Sequence, residues 1–285
     1  MISEATRAPG TEYATSHPVP RLRTLSGRCG VGAKGAKSVA HILVGLMASG
    51  CLTSQPDGTA AGAPTITVAA AASLTEAFTQ IGKDFQAENP GSTVSFTFGS
   101  SATLAAQITQ GAPVDVFAAA SPATMKTVTD AGAAGTPTNF VSNTLEIAVP
   151  KGNPHHITGL KDFADKNRRI ALCDPSVPCG AGAVTVFAAA KITAAPDTLE
   201  QDVKATLQKV SRDEVDAALV YRTDVISSHD QVDGIEFPEA KLAVNRYPIA
   251  ALKASKNANL AKAFVDYVLS PAGQAVLTKA GFAKP

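Results

Sequence analysis

The 285-residue chain lacks the signatures of several large enzyme classes: it has no Gly-x-Ser-x-Gly elbow, no Gly-x-x-x-x-Gly-Lys loop and no His-Glu-x-x-His pair. Its five histidines are scattered, and Ser73 has no neighbouring base to make it a nucleophile. Enzymatic activity therefore has no positive support, and the chain reads as a non-enzyme. Basic charge is scarce in the body of the protein. Six of the 25 Lys and Arg and two of the 24 Asp and Glu lie in residues 1–50, which leaves the remainder with a net charge of −3. A mildly acidic body argues against nucleic-acid binding, which needs a concentrated basic face. There is no internal repeat, and the apolar run Val39 to Met47 is too short to span a bilayer. The 45% hydrophobic content is enough for one large or two medium lobes of a globular protein.

Basic residues from Arg21 to Lys37 precede that apolar run, and Ala48-Ser49-Gly50-Cys51 follows it. This is the order of an export signal, with n-region, h-region and small-residue cleavage site, so residues 1–50 form a leader. Residues 1–20 stand ahead of any usual n-region. Ala-Ser-Gly-Cys resembles the lipobox of bacterial lipoproteins. That resemblance implies a lipidated Cys51 at the mature N-terminus, anchored to the outer face of the cell membrane. The Pro-, Gly- and Ala-rich stretch that follows makes 51–64 a flexible tether.

Thr65 to Ala72 reads as a strand, and Ser73 followed by Glu76 reads as a capping box for a helix with Leu74, Ala77, Phe78, Ile81 and Phe85 at helical spacing. The arrangement recurs. Ser92 to Phe98 alternates as a strand and leads into Gly99-Ser100-Ser101; Val114 to Ala119 leads into the cap Ser121-Pro122. Strands at Asn143 to Pro150, Ile170 to Cys173, Ala217 to Tyr221 and Leu242 to Leu252 follow, with an Ala-rich helix from about Ala181 and a helix bearing Val203, Leu207 and Val210. Alternating strands and helices predict an α/β architecture with mainly parallel sheets and ligands beyond the strands' carboxyl ends. The strand at 143–150 is a first crossing between lobes and 242–252 a return. Lobe I is expected to hold 65–144 and 246–285, and lobe II 145–245.

Cys173 and Cys179 flank a Pro-containing turn in an exported chain, which predicts a disulfide. Metal coordination is not expected, because no third ligand sits near them. The candidate site residues are neutral hydrogen-bond donors: hydroxyls and helix starts at Ser73, Ser101 and Gly180, with Tyr221 ending a strand. Donors with few acceptors fit a fully deprotonated oxyanion, whereas a protonated phosphate brings a proton that needs an acceptor.

The motifs Ala70-Ala71-Ala72-Ser73-Leu74, Gly99-Ser100-Ser101-Ala102-Thr103-Leu104, Gly111-Ala112-Pro113-Val114-Asp115-Val116-Phe117, Asp174-Pro175-Ser176-Val177-Pro178-Cys179-Gly180 and Val220-Tyr221 resemble, in order, those of bacterial extracytoplasmic molybdate-binding proteins. The resemblance implies a two-lobed periplasmic-binding-protein fold that closes on molybdate or tungstate and passes it to the permease of an ABC importer. It implies hydroxyl donors at Ser73, Ser101 and Tyr221 and backbone N–H donors at Cys179 and Val203. The family often has a third serine where this chain has Ala102, and often alanine where it has Cys179. No cofactor is implied, and a monomer is expected. A sulfate or phosphate receptor on the same fold is the alternative; an exported hydrolase using Ser73 and a scaffold lipoprotein without a small ligand are readings from other classes.

Overall fold

The computed structural model describes residues 63–285. The expected leader, Cys51 and all but the last two residues of the tether lie outside the described residues. From the start of the body the chain runs β1 (Thr65–Ala71), α1 (Thr75–Glu88), β2 (Thr93–Gly99), α2 (Ser101–Thr109), β3 (Val116–Ala118), α3 (Pro122–Asp130) and β4 (Thr138–Asn143). It continues through β5 (Leu145–Pro150), β6 (Ile170–Cys173), α4 (Pro178–Ala190), β7 (Thr198–Glu200), α5 (Val203–Ser211), β8 (Ala217–Tyr221), α6 (Arg222–Ser227) and β9 (Val232–Ile235). Last come β10 (Asn245–Ala251), α7 (Ala258–Leu269) and α8 (Pro271–Lys279).

These strands form two five-stranded sheets with the same pattern. The orders are β2-β1-β3-β10-β4 and β7-β6-β8-β5-β9. In the first sheet β1 is parallel to β2 and β3, with Val68 opposite both Phe96 and Val116, while β10 is antiparallel to β3 and β4. In the second, β6 is parallel to β7 and β8, while β5 is antiparallel to β8 and β9. Four strands of each sheet therefore run one way, and the reversed one stands fourth. Each sheet is mixed in its hydrogen bonding though mainly parallel in strand direction. The reversed strands are the first to enter the second sheet and the one that returns to the first.

Helices cover the sheets where their apolar spacing dictates. α1 buries Ala77, Phe78, Ile81 and Phe85, and Gly82 sits where any Cβ would collide with the Phe96 ring. Phe78, Phe85, Phe96 and Phe264 meet edge-on at centroid distances of 5.4–6.3 Å, so the C-terminal helix α7 is fastened to the first sheet. Such pairs are each worth about 0.5–1.5 kcal/mol beyond area burial. The second sheet has its own core, with Phe163 against Phe187.

Three local expectations are corrected. Ser73 does not cap α1: Ala72–Leu74 is a 3₁₀ turn, Leu74 stands at the N-cap with no side-chain bond, and Ser73 Oγ lies 2.9 Å from the Tyr247 hydroxyl. The serine is buried against β10, so a tertiary partner replaces the local one. Glu76 turns away to the Lys204 ammonium. The Ala-rich helix starts at Pro178 instead of near Ala181, because proline fits a first helical turn whose N–H would be unpaired anyway. The strand expected from Asn143 begins at Leu145, and β4 before it has no counterpart in the sequence reading.

Candidate functional site

One small cavity, with about 230 Å³ of empty space open to solvent, is lined by residues at or shortly after the carboxyl ends of six strands. Ser73 follows β1, Ser100 and Ser101 follow β2, and Ala120 follows β3. From the second sheet, Cys179 follows β6, Asp202 and Val203 follow β7, and Tyr221 ends β8. Two sheets of the same topology thus point the same ends at one space, where open α/β sheets bind ligands. All five residues expected from the sequence, Ser73, Ser101, Cys179, Val203 and Tyr221, lie on its wall.

The wall offers protons. Ser101 Oγ accepts the Ala120 N–H at 2.9 Å, so its own proton is directed elsewhere. Tyr221 is 1% exposed, and its hydroxyl accepts from Asn245 Nδ2 at 2.7 Å, which leaves the phenolic proton to donate. The same Asn245 nitrogen donates to the Ala120 carbonyl at 2.8 Å, tying β10 to both strand ends. Burial, then Tyr247 and Asp224, push the Tyr221 pKa well above its ordinary value, and burial likewise raises that of Tyr247. Both phenols stay protonated at neutral pH.

Three helices begin at the cavity. α2 starts at Ser101, α4 at Pro178 and α5 at Val203, and the first N–H groups of each have no partner within the helix. These groups and the helix dipoles make an anion-attracting wall without a cationic side chain among the lining residues. Asp202, the one carboxylate there, is engaged as the α5 cap, accepting the Ala205 N–H at 2.9 Å.

The turn before α4 is braced from several sides. Cys173 and Cys179 form the expected disulfide, with Cα atoms 5.8 Å apart, joining the end of β6 to the first turn of α4. Asp174 Oδ1 accepts from the Ser176 N–H at 2.9 Å and its hydroxyl at 2.6 Å, and those bonds hold its pKa below the usual value. Gly180 passes so close to the Asp174 carbonyl that a Cβ would overlap it.

Beside the cavity, Lys204 of α5 joins the two halves. Its Nζ is 2.8 Å from Glu76 Oε1 on α1 and 3.1 Å from Asp224 Oδ1 on α6. Burial pushes the Asp224 pKa up to about 6, with Lys204 opposing the shift. Burial also disfavours the ammonium, but Asp224 and Glu76 outweigh it and hold Lys204 above its ordinary value.

The sequence reading missed Ser100, Asn245, Tyr247 and Lys204. Tyr247 and Asn245 sit in an apolar strand, and no local spacing marks their partners; nothing in the local sequence marks Lys204 either, since its partners Glu76 and Asp224 lie on other helices. His155 stands away from the cavity, paired with Asp213 at 3.1 Å. Among the described residues no cluster of three His, Cys, Asp or Glu is placed to hold a metal ion. Among them, too, no helix is long and apolar enough to cross a membrane.

Residues 66–283 match the family model of bacterial extracellular solute-binding proteins. The chain belongs to that family. It is 44% identical over 249 residues to the molybdate-binding protein ModA of Mycobacterium tuberculosis, covering 86% of this chain and 95% of that one. The periplasmic molybdate-binding protein of Azotobacter vinelandii has the same fold, with a TM-score of 0.65 at 22% identity over 77% of this chain and 99% of that one. So does the sulfate-binding protein SubI of M. tuberculosis, with a TM-score of 0.69 at 17% identity over 78% and 87%. At those identities the two structures show the fold alone. The two sheets form the two-lobed periplasmic-binding-protein architecture, and this solute-binding protein works outside the cytoplasm without catalysis.

Proposed function

We propose that this solute-binding protein captures molybdate, and also tungstate, between lobe I (65–144 and 246–285) and lobe II (145–245). The observation that carries the reading is the donor set: four hydroxyls, of Ser73, Ser100, Ser101 and Tyr221, and the starts of three helices around one small cavity, with no cation on the wall. Ser73, Ser101 and Tyr221 donate hydroxyls, and Cys179 and Val203 donate backbone N–H groups. A deprotonated tetrahedral oxyanion satisfies all of them at once, since it brings four acceptors and no proton. Sulfate meets the same description, and the sulfate-binding SubI shares the fold, so fold and charge alone do not choose between them. The 44% identity to ModA favours molybdate. Delivery to an ABC importer permease and anchoring through a lipidated Cys51, as a monomer, complete the reading. Loss of membrane retention in a Cys51→Ala variant tests the anchor.

The function is tested by thermal unfolding with molybdate, tungstate, sulfate and phosphate. A ligand at one hundred times its Kd adds about 2.7 kcal/mol. Molybdate and tungstate should raise the Tm and sulfate far less; equal shifts with sulfate would overturn the assignment.

A further inference from the structure

α2 begins at the cavity with Ser100 in the N-cap position, and this cap is unlike others in the chain. Ser121 accepts the Thr124 N–H at the start of α3, Asp202 the Ala205 N–H at α5, and Ser270 the Gly273 N–H at α8. Ser100 makes no such bond. It is 7% exposed, and its Oγ has no hydrogen-bond partner of any kind. Among the described residues the other buried side-chain oxygen without one is Asp224 Oδ1, which has the Lys204 ammonium 3.1 Å away. Ser100 has no such compensation. A buried hydroxyl left unpaired is a cost to the fold, and a serine in the N-cap position ordinarily accepts an N–H of the first helical turn, a bond that Ser100 does not make. The residue lines the same cavity as Ser73, Ser101 and Tyr221.

We infer that Ser100 is a further contact residue for the bound oxyanion, its hydroxyl donating alongside those of Ser73, Ser101 and Tyr221. The one carboxylate on the cavity wall, Asp202, is already engaged as the α5 cap, and the other polar side chains there are hydroxyls, so the partner that completes Ser100 is an acceptor arriving from outside. An oxyanion oxygen is such an acceptor. The inference rests on the oxyanion-binding function proposed above and adds one residue to it. It makes a two-sided demand. Deleting the hydroxyl should leave the unliganded protein as stable as before or slightly more so, since no bond is lost, while weakening the anion.

The test is calorimetric titration of sodium molybdate, and separately sodium tungstate, into the exported wild-type protein, Ser100→Ala and Ser100→Gly, with the melting temperature of each unliganded protein measured alongside. Both variants should bind about ten- to hundredfold more weakly, the range for a hydrogen bond to a charged group, with unliganded melting temperatures at or above wild type. Wild-type affinity in the two variants would overturn the assignment of Ser100. So would a lowered melting temperature in both variants, because that marks the hydroxyl as structural. Failure of the wild type to bind either anion would overturn the function on which the inference rests, and the inference with it.

Discussion

Tyr221→Phe removes one oxygen from the cleft and keeps the ring that fills it. In the unliganded protein that oxygen accepts one bond, from Asn245 Nδ2 at 2.7 Å, and the same nitrogen retains the Ala120 carbonyl at 2.8 Å. A net intramolecular hydrogen bond is worth about 0.5–1.5 kcal/mol, so the melting temperature should fall by a few degrees at most. The liganded protein loses more. A hydrogen bond from the phenol to a charged anion is worth about 1.5–3 kcal/mol, or roughly ten- to hundredfold in Kd. No change in protonation confuses the comparison, because the Tyr221 pKa is raised far above neutrality by burial. Titration calorimetry with molybdate, paired with thermal unfolding of the unliganded proteins, separates the two costs. Matching dissociation constants for wild type and Tyr221→Phe would remove Tyr221 from the site and reduce it to a packed ring of the second sheet's core.

The Cys173–Cys179 bond closes a short loop, for which chain entropy gives about 2–3 kcal/mol of stability. Paired serine substitutions should lower the melting temperature and weaken molybdate by more than the change in fold stability explains; unchanged affinity would show that the bond does not brace the Cys179 N–H. Asp224 should leave a mark on the pH dependence of unfolding. Its folded pKa, about 6, stands above the ordinary 3.8, so the folded state binds the extra proton. The contribution of Asp224 is therefore fully favourable below the unfolded value and is lost as pH rises through about 6. Chemical denaturation of wild type and Asp224→Asn across that window should show the wild type losing stability relative to the variant as pH increases, and a constant difference would contradict it.

The α/β alternation was legible because strand ends and helix starts carry their own local marks. Ser121-Pro122 caps α3 as its sequence implies, and β6 and β8 occupy the residues whose apolar runs announce them. β4 was not legible, for it is an edge strand with two apolar residues, Phe140 and Val141, and its pairing comes from β10 about a hundred residues later. Ser73 shows the same limit at the site. The local rule makes it a cap, but its Oγ lies against the hydroxyl of Tyr247, 174 residues away, instead. Residues that touch the cavity follow strand ends and can be found by position. Those that orient them, Asn245 and Tyr247, depend on where the returning strand lands, which no local periodicity encodes.

The central claim, that an oxyanion is held by neutral donors between the two sheets, is tested most directly by an anomalous-difference map recorded at the molybdenum absorption edge from crystals grown with sodium molybdate. One peak is expected per chain, within hydrogen-bond reach of the Ser73, Ser101 and Tyr221 hydroxyls and the Cys179 and Val203 N–H groups. A peak held elsewhere by lysine or arginine side chains, or no peak at saturating molybdate, would contradict the account.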